Sequence, residues 1–366
     1  MKTIKNIFLL AFMAVILTAC LDDSLVYYSD NVVVVVNQGN FSAQDGSISY
    51  YYETTRKVEN EILKKANNNT DLGAIIQSAI ISRTGEIYVV CNNVDKIEVF
   101  NAFDGKALVS PFTNPAHLST PRYIAAGGNK LYVTNWGEGV DNGFGWQVYP
   151  NAYVLVLRYD NTWIVDRKIS CGSDAEEIIN VNNKLYVATG GGVFVIDLNT
   201  EAQTLISTPA GFGGAKSFAL SVGNLLWASY PDAQKLVAIN LNDNTVQGDY
   251  EMPLDWSGKI TGNHTGTKIY SFTTDFDAAY APEMAYIHEF DIDTKTSKKF
   301  YKGGAGSWFY SVGVSPFTGN VYTADVNNFM ENSRLIVLDS SGNKIDDQIV
   351  GIGTCGFHFL TFLKDE

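Results

Sequence analysis

The sequence predicts an all-β chain closed into a ring of seven blades of four strands each. Three observations carry the prediction. A short strand motif recurs seven times, each copy opens a series of alternating apolar segments parted by polar turns, and the chain ends on a strand whose missing partner lies near its start. The copies read VVVVVNQG (32–39), EIYVVCNN (86–93), KLYVTNWG (130–137), KLYVATGG (184–191), LLWASYPD (225–232), KIYSFTTD (268–275) and NVYTADVN (320–327). They recur at intervals of roughly 40–55 residues, the length of one propeller blade with loop insertions. A unit this short cannot bury its own apolar face, so the copies must stack on one another.

The third copy shows the template. Residues 122–126 form a first strand, Gly127-Gly128-Asn129 a turn, and 130–135 the second strand. After a long loop, 153–159 alternates apolar and polar residues as a third strand; Asp160-Asn161 turns the chain, and 163–169 is the fourth. Period-two alternation bounded by Gly, Asn and Asp is the signal of strands and hairpins. Third strands recur at 97–101, 193–198, 236–240, 287–292 and 335–339, each followed by a polar turn. Only 60–65 has a helical pattern after the leader. The run 32–36 reads as a second strand with no first strand ahead of it, and 356–363 as a first strand with no second. Pairing the C-terminal strand into the N-terminal blade completes a seven-bladed β-propeller over 31–366 and removes two open edges.

Residues 1–19 read as a leader rather than as structure. Lys2 and Lys5 precede an apolar run of eleven residues, 7–17, followed by Leu17-Thr18-Ala19-Cys20. Small residues before a cysteine are the pattern of a bacterial lipoprotein signal, which makes Cys20 the lipidation site and 20–30 a tether. The acidic Leu21-Asp22-Asp23-Ser24 resembles the surface-export signal of Bacteroidetes lipoproteins and implies an outer-membrane protein facing the cell exterior. Eleven residues are too few to span a bilayer, so the lipid is the expected anchor. A net charge of −13 argues against nucleic acid as a partner. Cys91, Cys171 and Cys355 are odd in number and lack CxxC or zinc spacing, so they read as small buried residues with at most one disulfide.

In such a ring, loops alternate between two faces. The turns from first to second strand are short: 82–85, 126–129, 180–183, 221–224 and 315–319. The opposite face carries long insertions at 37–46, 136–151, 273–285 and 325–332, and linkers at 209–217, 255–259 and 303–310. Four of the six tryptophans lie there, beside Asn, Gly and Ser. Aromatic platforms with hydrogen-bonding neighbours suit a large, neutral, ring-rich ligand. The expected ligand-binding residues are Asn37, Phe41, Asn92, Arg122, Asn135, Trp136, Trp146, Tyr230, Phe276, Trp308, Phe309 and Phe329. The funnel rim should add Thr189, Ser229, Thr274, Asp325, Glu176, Lys216, Lys259 and Phe357. No catalytic residue, metal or cofactor is expected: no GxSxG, HExxH or phosphate loop occurs, Gly190-Gly191-Gly192 is a hairpin turn, and Asp141-Asn142-Gly143 is an incomplete calcium series. Among the histidines, His264 and His288 fall in a plain-face turn and a third strand, while His117 and His358 fall near the elaborate face. His358 leaves a propeller lyase as the enzymatic alternative.

Tyr132-Val133-Thr134-Asn135 is the motif of the YVTN-repeat, or YncE-like, propellers, and the resemblance covers 31–363. With the leader and the VVVVVNQGNF segment, the chain resembles the BtuG-type surface lipoproteins of gut Bacteroidetes. That resemblance implies a protein that binds cobalamin (vitamin B12) or a related corrinoid, as ligand rather than cofactor, and passes it to a TonB-dependent transporter. The residues themselves serve a glycan-binding protein of a polysaccharide-uptake system equally well, or a protein-docking scaffold.

Overall fold

The computed structural model describes residues 28–364. The apolar second strands are buried on both sides, and this drives the ring. Val32–Val36 are each at most 1% exposed. Val32, Val34 and Val36 pack with Ile48, Ile87 and Val89 toward one neighbouring blade. Val33 and Val35 pack with Tyr322, Leu335 and Val337 toward the other. Burial on both faces explains why this copy is an unbroken valine run rather than an alternating strand.

Seven antiparallel blade sheets result, with a separate two-stranded hairpin, Val140–Asp141 with Gln147–Val148, in the 136–151 loop. Blade 1 holds Tyr28–Asn37, Ser47–Tyr52 and Lys57–Glu59, with Thr354–Lys364 as its innermost strand. Blade 2 holds Ser78–Ile81, Glu86–Cys91 and Lys96–Asn101. Its fourth strand is irregular, attached by the bridges Phe100–Ala107 and Ile97–Phe112; Pro111 and Pro115 remove donors that a regular strand needs. Blade 3 holds Pro121–Gly127, Lys130–Asn135, Ala152–Asp160 and Thr162–Gly172, and blade 4 Ile178–Val181, Lys184–Thr189, Gly192–Asp197 and Gln203–Ser207. Blade 5 holds Phe218–Ser221, Leu225–Tyr230, Lys235–Asn240 and Val246–Glu251. Blade 6 has a two-residue first strand, Thr261–Gly262, then Lys268–Phe276, Pro282–Asp291 and Thr296–Ala305. Blade 7 holds Phe309–Val314, Val321–Asp325, Asn332–Leu338 and Lys344–Ile352.

The ring closes as the sequence predicts. Val34 pairs with His358 and Val35 with Phe357, and pairing runs out to Tyr28 and Lys364. Both described ends therefore leave on the plain face, opposite Asn37 and the long loops. The helical pattern near residue 62 forms the short helix Ile62–Ala66. Cys91, Cys171 and Cys355 are all free and buried. The leader, Cys20 and most of the tether lie outside the described residues.

Two positions of the YVTN motif have structural roles that the repeat makes visible. Thr134 Oγ1 accepts from Tyr123 N–H in its own blade (2.9 Å) and donates to Glu176 O of the next (2.9 Å). Ser229 does the same in blade 5, accepting from Ser217 N–H (3.0 Å) and donating to Gly258 O (2.6 Å). The residue ending the second strand pins the linker that enters its blade: Ser119 N–H donates to Asn135 Oδ1 (3.1 Å), Thr354 Oγ1 to Asn37 Oδ1 (3.0 Å) and Trp308 N–H to Asp325 Oδ1 (3.1 Å). Each bond satisfies a group that would otherwise be buried unpaired at a blade junction.

Candidate functional site: a two-sided mouth on the propeller axis

The innermost strands begin at the loop-rich face, so the residues just ahead of them ring the axis. Blades 2 to 5 contribute a continuous polar chain. Asn92 Nδ2 donates to Gln77 Oε1 (2.9 Å), and Arg122 Nη1 donates to the same oxygen (2.6 Å). Arg122 Nε and Nη2 both donate to Glu176 Oε2 at 3.0 Å, and Lys216 Nζ reaches Glu176 Oε1 at 3.3 Å. The Arg122 guanidinium lies 4.0 Å from the Trp136 ring centre, and Trp136 packs on Tyr149 at 4.5 Å. That stack holds the long 136–151 loop at the mouth.

Blades 6 and 7 contribute an aromatic half. Trp308 meets Phe276 and Phe329 edge-on, each at 5.2 Å, and Phe329 meets Tyr310 at 4.9 Å. Trp256 lies 6.3 Å from Tyr310. Lys259 Nζ sits 4.4 Å from the Tyr310 ring centre and donates to Cys355 O at 3.0 Å. Burial lowers the Lys259 pKa, with the opposing pull of Cys355, Asp255 and Glu176 and the repulsion of Arg122 as smaller causes.

Beneath the mouth is a cavity of about 270 Å³ lined by the innermost strands of six blades and by Ser217, just ahead of that of blade 5, with Tyr123, Glu177, Lys259 and His358 in its wall. Glu177 accepts from the Ser217 hydroxyl and from Phe218 N–H (2.9 Å). Burial pushes its carboxyl up to about 7, against those two hydrogen bonds and the Lys259 charge. Burial also pushes the His358 imidazole down to about 4, so it is neutral at physiological pH. A larger hollow of about 630 Å³ lies off the axis, between the 43–48 segment, the 60–64 segment and blade 7; it collects no comparable convergence of charged and aromatic groups.

Of the twelve residues expected to bind ligand, Asn92, Arg122, Trp136, Phe276, Trp308 and Phe329 meet at this mouth. Phe41 and Trp146 stand further out on the loops, 70% and 74% exposed. The remaining four are corrected. Asn37, Asn135, Tyr230 and Phe309 are at most 1% exposed. The two asparagines hold linkers, as above; Tyr230 packs edge-on to Phe212, and Phe309 stacks on Tyr301. Thr189 and Ser229 are buried too. Gln77 and Tyr310 were not singled out from sequence; the available signal is that each sits at the start of an innermost strand or just ahead of it, as Arg122 and Lys216 do. Asp141 and Asn142, in the incomplete calcium series, accept from the backbone N–H groups of Gly143 (2.8 Å) and Phe144 (2.9 Å), capping a hairpin tip.

Fold and site thus define a seven-bladed propeller with an elaborated mouth on one face. The chain belongs to the family described as Domain of unknown function (DUF5074), which matches residues 31–351. No curated protein matches the sequence. Among solved structures, it is similar to a presumptive 6-phosphogluconolactonase from Bacteroides fragilis, with TM-score 0.65 and 13% identity over 90% of this chain and 98% of that one. It is also similar to the periplasmic gluconolactonase PpgL of Pseudomonas aeruginosa (TM-score 0.61, 14% identity, 91% and 99% covered). A functionally unknown protein from Desulfotomaculum acetoxidans is a third neighbour (TM-score 0.62, 12% identity, 90% and 98% covered). At such identities these likenesses speak for the fold alone.

Proposed function

We propose that this protein is a lipid-anchored capture protein of the outer membrane. It binds cobalamin or a related corrinoid at the mouth and hands it to a TonB-dependent transporter. The observation that carries this reading is the two-sided mouth: a hydrogen-bonded amide and guanidinium chain on blades 2 to 5 faces an aromatic cluster on blades 6 and 7. A corrin is a large ring fringed with amides, and that pairing offers it both apolar area and amide partners. The Asn92 side-chain oxygen and the Trp136 indole N–H are buried there without a protein partner, which favours a ligand that hydrogen-bonds. The axial cavity, about 270 Å³, is at the small end for even drug-sized ligands. A corrinoid therefore caps the mouth rather than entering the channel. Because Tyr28 leaves on the plain face, acylation at Cys20 would point the mouth away from the membrane, toward incoming ligand.

The test is calorimetric titration of the chain from residue 20 onward, carrying Cys20→Ser, with cyanocobalamin. Binding at micromolar or tighter affinity with one site is expected; no heat from folded protein overturns the reading. A second reading, hydrolysis of a small lactone, is favoured by Glu177, whose carboxyl near pKa 7 is matched to general-base work. Turnover of a gluconolactone that Glu177→Gln abolishes would decide for it. The glycan alternative rests on the exposed Trp146 and Trp256, and predicts binding to polysaccharide but not to corrinoid.

A further inference from the structure

The loop-rich face carries a charge pattern that the net charge of −13 conceals. The loops joining second to third strands bring acidic residues, among them Asp45, Asp95, Glu138, Asp141, Asp232 and Asp277, and contain no lysine or arginine. The cations near the axis, Arg122, Lys216 and Lys259, come from the starts of innermost strands or the positions just ahead of them. These three cations therefore stand inside a ring of acidic loops.

Those three cations are not equivalent. Arg122 and Lys216 both pair with Glu176, at 3.0 and 3.3 Å, so each has a carboxylate in contact. Lys259 has no such partner among the described residues. The nearby acids are engaged elsewhere: Asp255 accepts from Ser257 N–H (2.9 Å), and Glu177 from Ser217 and Phe218. The Lys259 ammonium has one acceptor, Cys355 O, and the face of the Tyr310 ring. Two of its three N–H groups thus have no protein acceptor. It also lines the axial cavity directly below the mouth. A half-buried ammonium with spare donors and no carboxylate in ion-pair contact is a site for an oxyanion, because charge-assisted hydrogen bonds gain strength where water is scarce.

We infer that Lys259 forms the floor of an anion subsite that takes one phosphate-type group of the ligand seated on the mouth. On the corrinoid reading, on which this assignment rests, that group is the phosphodiester of the nucleotide loop, and the corrin ring lies above it against Trp308, Phe329 and Trp256. The subsite fixes which end of the ligand enters first, and separates complete corrinoids from precursors that lack the nucleotide.

Two arms test it. In the first, inorganic phosphate is compared with chloride at equal ionic strength in thermal unfolding of the wild type, Lys259→Met and Lys259→Arg. Phosphate raises the melting temperature of the wild type and of Lys259→Arg but not of Lys259→Met, since an anion that binds only the folded state stabilises it. An equal response in wild type and Lys259→Met, or none in either, overturns the subsite. In the second arm, cyanocobalamin and cobinamide, which lacks the phosphodiester, are titrated into the same proteins. Lys259→Met weakens cyanocobalamin by about 10- to 100-fold, the size expected for a charge-assisted bond, and leaves cobinamide within about 2-fold. Equal loss for both ligands, or for neither, overturns the phosphodiester assignment. If the phosphate arm succeeds while neither corrinoid binds the wild type, the corrinoid reading falls and the subsite stands.

Discussion

Replacing Arg122 by methionine removes the one side chain that joins blades 2, 3 and 4 across the mouth. The substitution deletes two donors at 3.0 Å from Glu176 Oε2, one at 2.6 Å from Gln77 Oε1, and the cation over Trp136. Glu176, 8% exposed in the intact mouth, is left with Lys216 as its remaining ion partner. Breaking a buried ion pair costs about 3–5 kcal/mol when the survivor has no other partner. Lys216 keeps its hold on Glu176 at 3.3 Å, which places Arg122→Met near the lower end, at about 3 kcal/mol. Glu176→Gln leaves a neutral amide facing two cations and costs a similar amount, about 2–3 kcal/mol. Because both changes break the same pair, the double mutant should cost less than the sum by about 1.5–2 kcal/mol. Guanidinium denaturation of the four proteins measures this coupling. Additivity within about 0.5 kcal/mol would refute the claim that the pair preorganises the mouth.

Other outcomes follow from the same geometry. Trp308→Ala removes the centre of the Phe276–Trp308–Phe329 cluster; it should cost about 2–3 kcal/mol, leave the β circular-dichroism spectrum intact, and weaken cyanocobalamin binding, and normal binding would show the site misplaced. Deleting residues 354–364 strips the innermost strand from blade 1 and exposes the Tyr28–Asn37 edge; size-exclusion chromatography should show aggregates in place of a folded monomer. His288, 4% exposed and held by Thr273 at 2.8 Å, titrates near 4 in the fold against 6.5 when free, chiefly through burial. Protonation therefore favours the unfolded chain, and up to about 3 kcal/mol is lost as pH falls from 6.5 to 4. Glu177, raised from 4.5 to about 7, acts in the opposite sense, stabilising most at low pH and losing that contribution as pH rises to 7. Stability curves of Glu177→Gln should accordingly fall more steeply on the acid side than those of the wild type.

The ring was readable because seven copies of one strand motif reinforce each other, and because the closing strand reads as a first strand whose partner is the unpaired 32–36 run. Irregular pieces escaped. Prolines 111 and 115 blur the fourth strand of blade 2, and blade 6 opens on only two paired residues. The mouth was half readable. Arg122, Glu176, Lys216 and Lys259 follow from their place at the start of innermost strands or just ahead of them, and Trp136 and Trp308 from their loops. Asn37 and Asn135 misled, because an amide at the end of a strand looks the same whether it meets a ligand or a linker. Their partners, Thr354 and Ser119, are 317 and 16 residues away in sequence. Gln77 was invisible for a related reason: its role is to receive Asn92 and Arg122, from different blades.

The most direct test of corrinoid capture at the mouth uses the ligand's own metal. Crystals of the protein soaked or grown with cyanocobalamin should show one cobalt anomalous peak on the propeller axis, outside the loop-rich face, between the Arg122–Glu176 pair and the Trp308–Phe329 cluster. A peak in the off-axis hollow beside Asn60 and Lys64, or on the plain face, would contradict the placement, and no peak at saturating ligand would contradict the function.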